Sequence, residues 1–180
     1  MTLNGADHRA QRDDREGFEE FYRAAYARLV GQLLSVTGDL EQAEDVVQEA
    51  FVRALNRWSR ISTYDVPEAW VRRVAVNLAL SEFRRLRRRA AALLRLGARG
   101  NESHLPPDTI AMVEFLRQVP ANQRAVLLLH DVVDLPIGQV AEQLGLSVST
   151  ARGRLARARA TLSRHAAADT EGGLNHRARH

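Results

Sequence analysis

The sequence predicts an all-α chain: two small helical domains joined by a flexible linker, the C-terminal one containing a helix-turn-helix. Three observations carry this. Apolar residues recur at three- and four-residue spacing, and no segment keeps the two-residue alternation of a strand. Gly97, Gly100, Asn101, Ser103, Pro106 and Pro107 fall in one short stretch and interrupt the helical pattern. Ile137 to Leu155 then has a helix–glycine–helix form, with Gly145 able to take the positive φ that the turn needs. At 180 residues the chain can build one domain or two small ones.

In chain order, residues 1–16 are charged and aperiodic and read as a tail. Phe18, Phe21, Tyr22, Ala25, Leu29, Leu33 and Val36 mark the first helix, which Thr37-Gly38 stops. Asp39 can cap the next helix, with Gln42 at the reciprocal position of a capping box. Leu40, Ala43, Val47, Ala50, Phe51, Ala54 and Trp58 give it a buried stripe, and Glu41, Asp45, Gln48, Glu49 and Val52 its other side. Arg60 to Val66 connects to a helix that opens at Pro67, where a missing N–H costs little. Trp70, Val71, Val74, Ala75 and Leu78 supply its buried face; Arg72, Arg73 and Val76 fall on the other side. At Asn77 to Ser81 the helix can run through, or break and restart with Ser81 as a cap. A basic helix follows, with Phe83 and Leu86 as anchors among Arg84, Arg85, Arg87, Arg88 and Arg89.

Beyond the linker, Asp108 can cap a helix over Ile110 to Val119. Pro120 opens one that runs to His130, and Leu135-Pro136 opens one that ends at Gly145. Ser147 or Ser149 caps the last helix, which runs to about Arg164 and leaves a tail from Ala166. The expected domains are a disordered tail over 1–16, a helical unit over 17–92, a linker over 93–108, the helix-turn-helix unit over 109–165 and a disordered tail over 166–180.

Composition excludes several classes. There is no cysteine, hence no disulfide framework, no thiolate metal site and no cysteine nucleophile. No stretch has the roughly 18–20 apolar residues of a membrane span. Met1 to Gly17 lacks the apolar middle of a signal peptide, so the expected location is cytoplasmic, without membrane insertion. The net charge of +4 is uneven. Residues 1–50 carry five Arg against eleven acids and residues 51–100 twelve against three. Residues 101–150 carry two against six and residues 151–180 seven against two. Two basic blocks separated by an acidic one suggest two places where a polyanion sits.

The helix after Gly145 projects Ser149, Arg152, Arg154, Arg157 and Arg159. Such a helix fits the major groove with its N-terminal part nearest the bases. Arg152, near the start, is placed to reach base edges, and Arg157, farther along, to meet phosphate. In the first unit the Arg run suits a phosphate backbone, and Tyr64, in the connection, is the aromatic best placed to stack on an unpaired base. Trp58 and Trp70 fall at core spacing. Glu41, Asp45 and Glu49 recur every four residues, but no second acidic cluster accompanies them, so no metal and no cofactor are expected. Their face suits a solvated surface or docking on a basic protein.

Two stretches of the first unit resemble a known family. Gly38-Asp39 followed by Ala43 to Ala54 resembles the core-binding segment of bacterial sigma-70-family factors. Pro67 to Ala79 followed by the Arg run resembles their promoter −10 segment, and the helix-turn-helix resembles their −35 reader. The order, the short linker and the length match the two-domain extracytoplasmic-function (ECF) group. Ala151 and Gly153 depart from the pattern, standing where the family has Val and Ser. The resemblance implies an RNA polymerase sigma factor, whose partners are core RNA polymerase and promoter DNA. Asp45, Gln48, Glu49 and Val52 would dock on the beta-prime clamp. Asn77, Leu80 and Ser81 would form a loop holding a flipped −10 base, and Tyr64, Arg72, Arg73, Arg84, Arg85 and Arg88 would guide the opened strand. Ser147, Ser149, Thr150, Arg152, Arg154 and Arg157 would read the −35 duplex, with the C-terminal unit also meeting the beta flap. An anti-sigma protein is a common partner in that family.

Two other classes compete. A stand-alone helix-turn-helix regulator with an N-terminal dimerisation or sensor domain would bind duplex DNA without polymerase, and leaves the Asp45–Glu49 face without a role. An enzyme acting on nucleic acid needs an acid pair, a nucleophile–base set or a metal constellation, and the sequence offers none. His130 reads as a helix-surface or core residue.

Overall fold

The first helix, α1 (Asn4–Thr37), is the spine of the structure, a computed structural model that describes residues 4–93 and 106–177, with side chains over 14–85 and 106–167. Ala25, Leu29, Leu33 and Val36 are buried along one face of α1, as their spacing requires. α2 (Leu40–Leu55) and α4 (Pro67–Leu93) pack against that face, and α3 (Trp58–Ile61) is a single turn between them. Phe18, Phe21 and Tyr22 of α1 meet Phe51 and Trp58, with Phe21 stacked on Trp58 at 5.1 Å and Tyr22 edge-on to Phe51 at 4.8 Å. Aromatic pairs of this kind add about 0.5–1.5 kcal/mol beyond area burial.

The α1–α2 corner is set by Gly38, at φ 73, and Asp39, whose carboxylate accepts the Gln42 N–H at 2.9 Å. A side chain at position 38 would be strained by that φ and would also press on the Arg117 side chain, 3.0 Å from where its Cβ would stand.

The second unit comprises α5 (Pro107–Arg117), α6 (Ala121–Leu127), α7 (Ile137–Leu144) and α8 (Val148–Arg177). Three of its helices start immediately after an extended proline or on one: Pro106-Pro107, Pro120 and Pro136. The last turn of α6 widens to π-helical form over Leu128–Val132, with Val133 N–H donating to the Leu128 carbonyl at 3.0 Å. Asp134 then takes φ 58, tolerable for an Asp, and reverses the chain into α7. Val126, Leu129, Val140 and Leu155 form the small core of this unit. Among the described residues all regular structure is helical.

Several expectations change. α1 extends back to Asn4, into the stretch read as a tail, and α8 runs to Arg177 rather than Arg164, with Ala166 to Ala168 favouring helix past the expected end. α2 ends at Leu55 because Arg57 leaves helical geometry, so Trp58 belongs to α3. Val46, absent from the expected stripe, is buried. α4 is continuous through Asn77–Ser81. Arg72 and Val76, placed on its outer side, are buried, because α4 packs on α1 and α2 and also meets α6 and α7. Asp108 sits inside the first turn of α5 and makes no cap. Val148, an apolar residue at the start of α8, is 40% exposed. The linker over 93–108 lies for the most part outside the described residues.

Candidate nucleic-acid interface

The turn that launches α8 is fixed by a closed set of backbone bonds. Gly145, at φ 63, donates to the Glu142 carbonyl at 3.2 Å, and Leu146 donates to the Ala141 carbonyl at 2.8 Å. This pair of bonds satisfies carbonyls that the end of α7 would otherwise leave bare. Ser147, not Ser149, is the cap: its hydroxyl accepts the Thr150 N–H at 3.2 Å. Ala141 and Ala151 are both fully buried where α7 and α8 pack together, so Ala151 suits a close crossing.

That placement leaves Ser149, Thr150 and Arg152 exposed at the start of α8 and Arg157 exposed one turn on. The Arg157 guanidinium lies 3.4 Å from where a Cβ on Gly153 would stand, so the missing side chain gives it room. Arg154 is half-buried and lines a cleft toward α4. Arg159 projects outward as expected and pairs with Asp131 through two bonds of 3.2 and 2.5 Å. It ties α8 to α6.

The face of α4 is more selective than its Arg content suggests. Arg72 is 7% exposed. It donates to the Gln32 side chain at 3.0 Å and to Glu68 at 2.8 Å, so it braces α4 on α1 and is removed from the set that could meet DNA. Arg28 of α1 also pairs with Glu68. Burial of the Glu68 carboxyl favours its neutral form, but the hydrogen bonds and charges of Arg28 and Arg72 outweigh it and hold the carboxyl below its ordinary range. Arg73, Asn77, Ser81 and Arg84 are exposed, and Leu80 and Phe83 half-buried. Arg85 is paired with Glu82 at 2.7 Å. Tyr64 is half-buried against the first core, in the exposed turn Ser62–Val66 that precedes Pro67. The irregular segment beside α4 is therefore this turn, not Asn77–Ser81. The Arg88 side chain lies outside the described residues.

On α2, Asp45, Gln48, Glu49 and Val52 are all exposed on one face. Glu49 carries Arg53 at 2.8 Å, an exposed pair that constrains it little. Asp45 and Glu49 edge a groove shared with Gln42, Val46, Leu78 and Arg85. Val52 and Leu55, both about half exposed, add an apolar border. An acidic face with an apolar edge suits a cationic protein surface.

Residues 21–89 match the family model described as Sigma-70 region 2, and residues 109–162 that described as Sigma-70, region 4. The chain is 30% identical over 155 residues to the ECF RNA polymerase sigma factor SigM of Mycobacterium tuberculosis, an overlap covering 84% of this chain and 78% of that one. It is 34% identical over 143 residues to the probable RNA polymerase sigma factor RfaY of Xanthomonas campestris, covering 72% of this chain and 35% of that one. The chain thus spans about a third of the latter's length. Its fold is similar to that of the sigma factor RpoE of Bartonella quintana, solved with the anti-sigma factor NepR, with TM-score 0.63, 19% identity and coverage of 83% and 96%.

Proposed function

The chain belongs to the ECF group of the sigma-70 family of RNA polymerase sigma factors, and from that premise we propose that it binds core RNA polymerase and directs it to promoters by reading −35 and −10 elements. The exposed α2 face of Asp45, Gln48, Glu49 and Val52 docks on the basic clamp of the beta-prime subunit. Arg73, Asn77, Ser81 and Arg84 on α4, with the Ser62–Val66 turn, meet the opened −10 strand. Ser149, Thr150 and Arg152 read −35 base edges and Arg157 meets phosphate, while the second unit reaches the beta flap. RNA synthesis belongs to the core enzyme, and the chain contributes specificity and promoter opening rather than catalysis. It works where the polymerase is, in the cytoplasm. An anti-sigma partner fits the same reading, since the Bartonella relative was solved with one.

The α2 face carries this reading over that of a stand-alone regulator: such a regulator has no use for an exposed acidic strip with an apolar border on a helix whose opposite side is core. Footprinting of promoter DNA tests it. With core polymerase present, the protein should protect two blocks centred near −10 and −35. Protection of a single duplex site in the absence of polymerase would favour the regulator.

A further inference from the structure

The two DNA-reading helices are not independent here. Asn77, Leu80 and Arg84 of α4 line one wall of a cleft of about 880 Å³, and Leu144, Leu146 and Arg154 line the other. If α4 meets the −10 element and α8 the −35 element, as proposed above, their targets are centred roughly 25 base pairs apart, about 85 Å at ~3.4 Å per base pair. Opposite walls of one cleft cannot reach both.

The clasp that holds the walls together is formed at the end of α1. Arg124 of α6, 5% exposed, donates through Nε to the Val36 carbonyl at 2.9 Å and through Nη2 to the Thr37 carbonyl at 3.3 Å. Its guanidinium also lies 5.6 Å from the Phe83 ring centre, against α4. Arg117 of α5 donates to the Gly38 carbonyl at 2.8 Å. These carbonyls belong to the C-terminal end of α1, where helix geometry leaves acceptors free and favours positive charge. No basic residue in the last turn of α1 supplies that charge. Val113, Ala125 and Leu128 of the second unit join the core of the first beneath the clasp.

A clasp on helix-end carbonyls is suited to release, because water can take the place of the guanidinium groups and leave nothing orphaned. We propose that Arg124 and Arg117 form an inter-domain latch that holds the free chain closed, with α4 and α8 kept side by side at one cleft, and that promoter engagement requires the latch to open. The inference rests on the sigma-factor reading for its consequence, but the latch itself can be tested without polymerase or DNA.

The chain has no cysteine, so two introduced at exposed positions, Ala24→Cys in α1 and Ala160→Cys in α8, take spin labels uniquely. The labelled chain should give one narrow inter-label distance distribution. Adding Arg117→Ala and Arg124→Gln together should raise the long-distance population at least threefold. Arg117→Ala alone guards against misfolding of the double variant, since this side chain is exposed, and should shift the population in the same direction. A broad, long distribution in the unsubstituted chain would overturn the latch, as would unchanged distances in both variants. Run-off transcription with core polymerase on the same samples separates the two claims. Unchanged distances with normal transcripts defeat the latch alone, whereas a distance shift without any transcript defeats the sigma-factor reading.

Discussion

Glu68 holds Arg72 at 2.8 Å while receiving Arg28 from α1, so one carboxylate ties the start of α4 to the spine of the fold. Arg72→Ala should therefore lower stability by about 1–3 kcal/mol in urea unfolding, because it removes a buried donor to Glu68 and Gln32. Arg73→Ala, at an exposed position, should change stability by less than about 0.5 kcal/mol and weaken DNA binding instead. The same carboxylate sets a pH dependence. Its folded pKa lies below the ordinary 4.5, so the stability it contributes is full above that value and is lost as pH falls through the lower folded one. Glu68→Gln should flatten the acid limb of a stability–pH profile; an unchanged limb would remove Glu68 from the account.

Charge reversal on α2 separates docking from folding. Asp45→Arg or Glu49→Arg should weaken core polymerase binding about tenfold or more, by ~1.4 kcal/mol, while thermal unfolding stays within a few degrees. Both side chains are exposed, so neither change disturbs the core. Titration of labelled protein with core polymerase gives the answer, and equal affinities for variant and parent would take the docking surface elsewhere.

On α8 the two exposed arginines should fail differently. Arg152→Ala should reduce −35 discrimination by ~1–3 kcal/mol at one base pair. Arg157→Ala should weaken binding evenly across sequences and lower the salt slope by about one. Competition binding of the polymerase complex to point-substituted −35 duplexes distinguishes them. A uniform loss for Arg152→Ala would make it a phosphate contact too.

Asn77 is exposed on a continuous helix, not in a loop, so replacing it should leave the fold intact. Asn77→Ala should change the preference at one −10 base and spare binding to −35 duplex. An effect on thermal stability alone would return Asn77 to a structural role.

The patterns that one helix determines by itself were readable from the sequence. The Asp39 cap, the positive φ at Gly145 and most of the buried stripe of α2 follow from spacing and residue type. The exposed acidic face of α2 is the complement of that stripe. What escaped depends on partners distant in sequence. Arg72 reads as an outward base until Gln32 and Glu68 are brought to it. Arg159 reads as a projecting base without a partner until Asp131 pairs with it across 28 residues. Val76 reads as outward because nothing in α4 announces the width of its buried arc. Nothing in the sequence around Arg124 marks it, because its partners at the end of α1 lie nearly ninety residues away. Asn77 and Ser81 are residues that cap helices elsewhere, so the sequence leaves a break open there, and it is the packing of α4 that keeps the helix intact through them.

The most direct test of the central claim is run-off transcription on a pool of genomic promoter fragments with purified core RNA polymerase, with and without the protein. Discrete transcripts that appear only when the protein is added, from start sites sharing a −35 and a −10 element, are the predicted result. Binding of the protein to duplex DNA with no transcript at any fragment, from a folded sample and an active core enzyme, would contradict it.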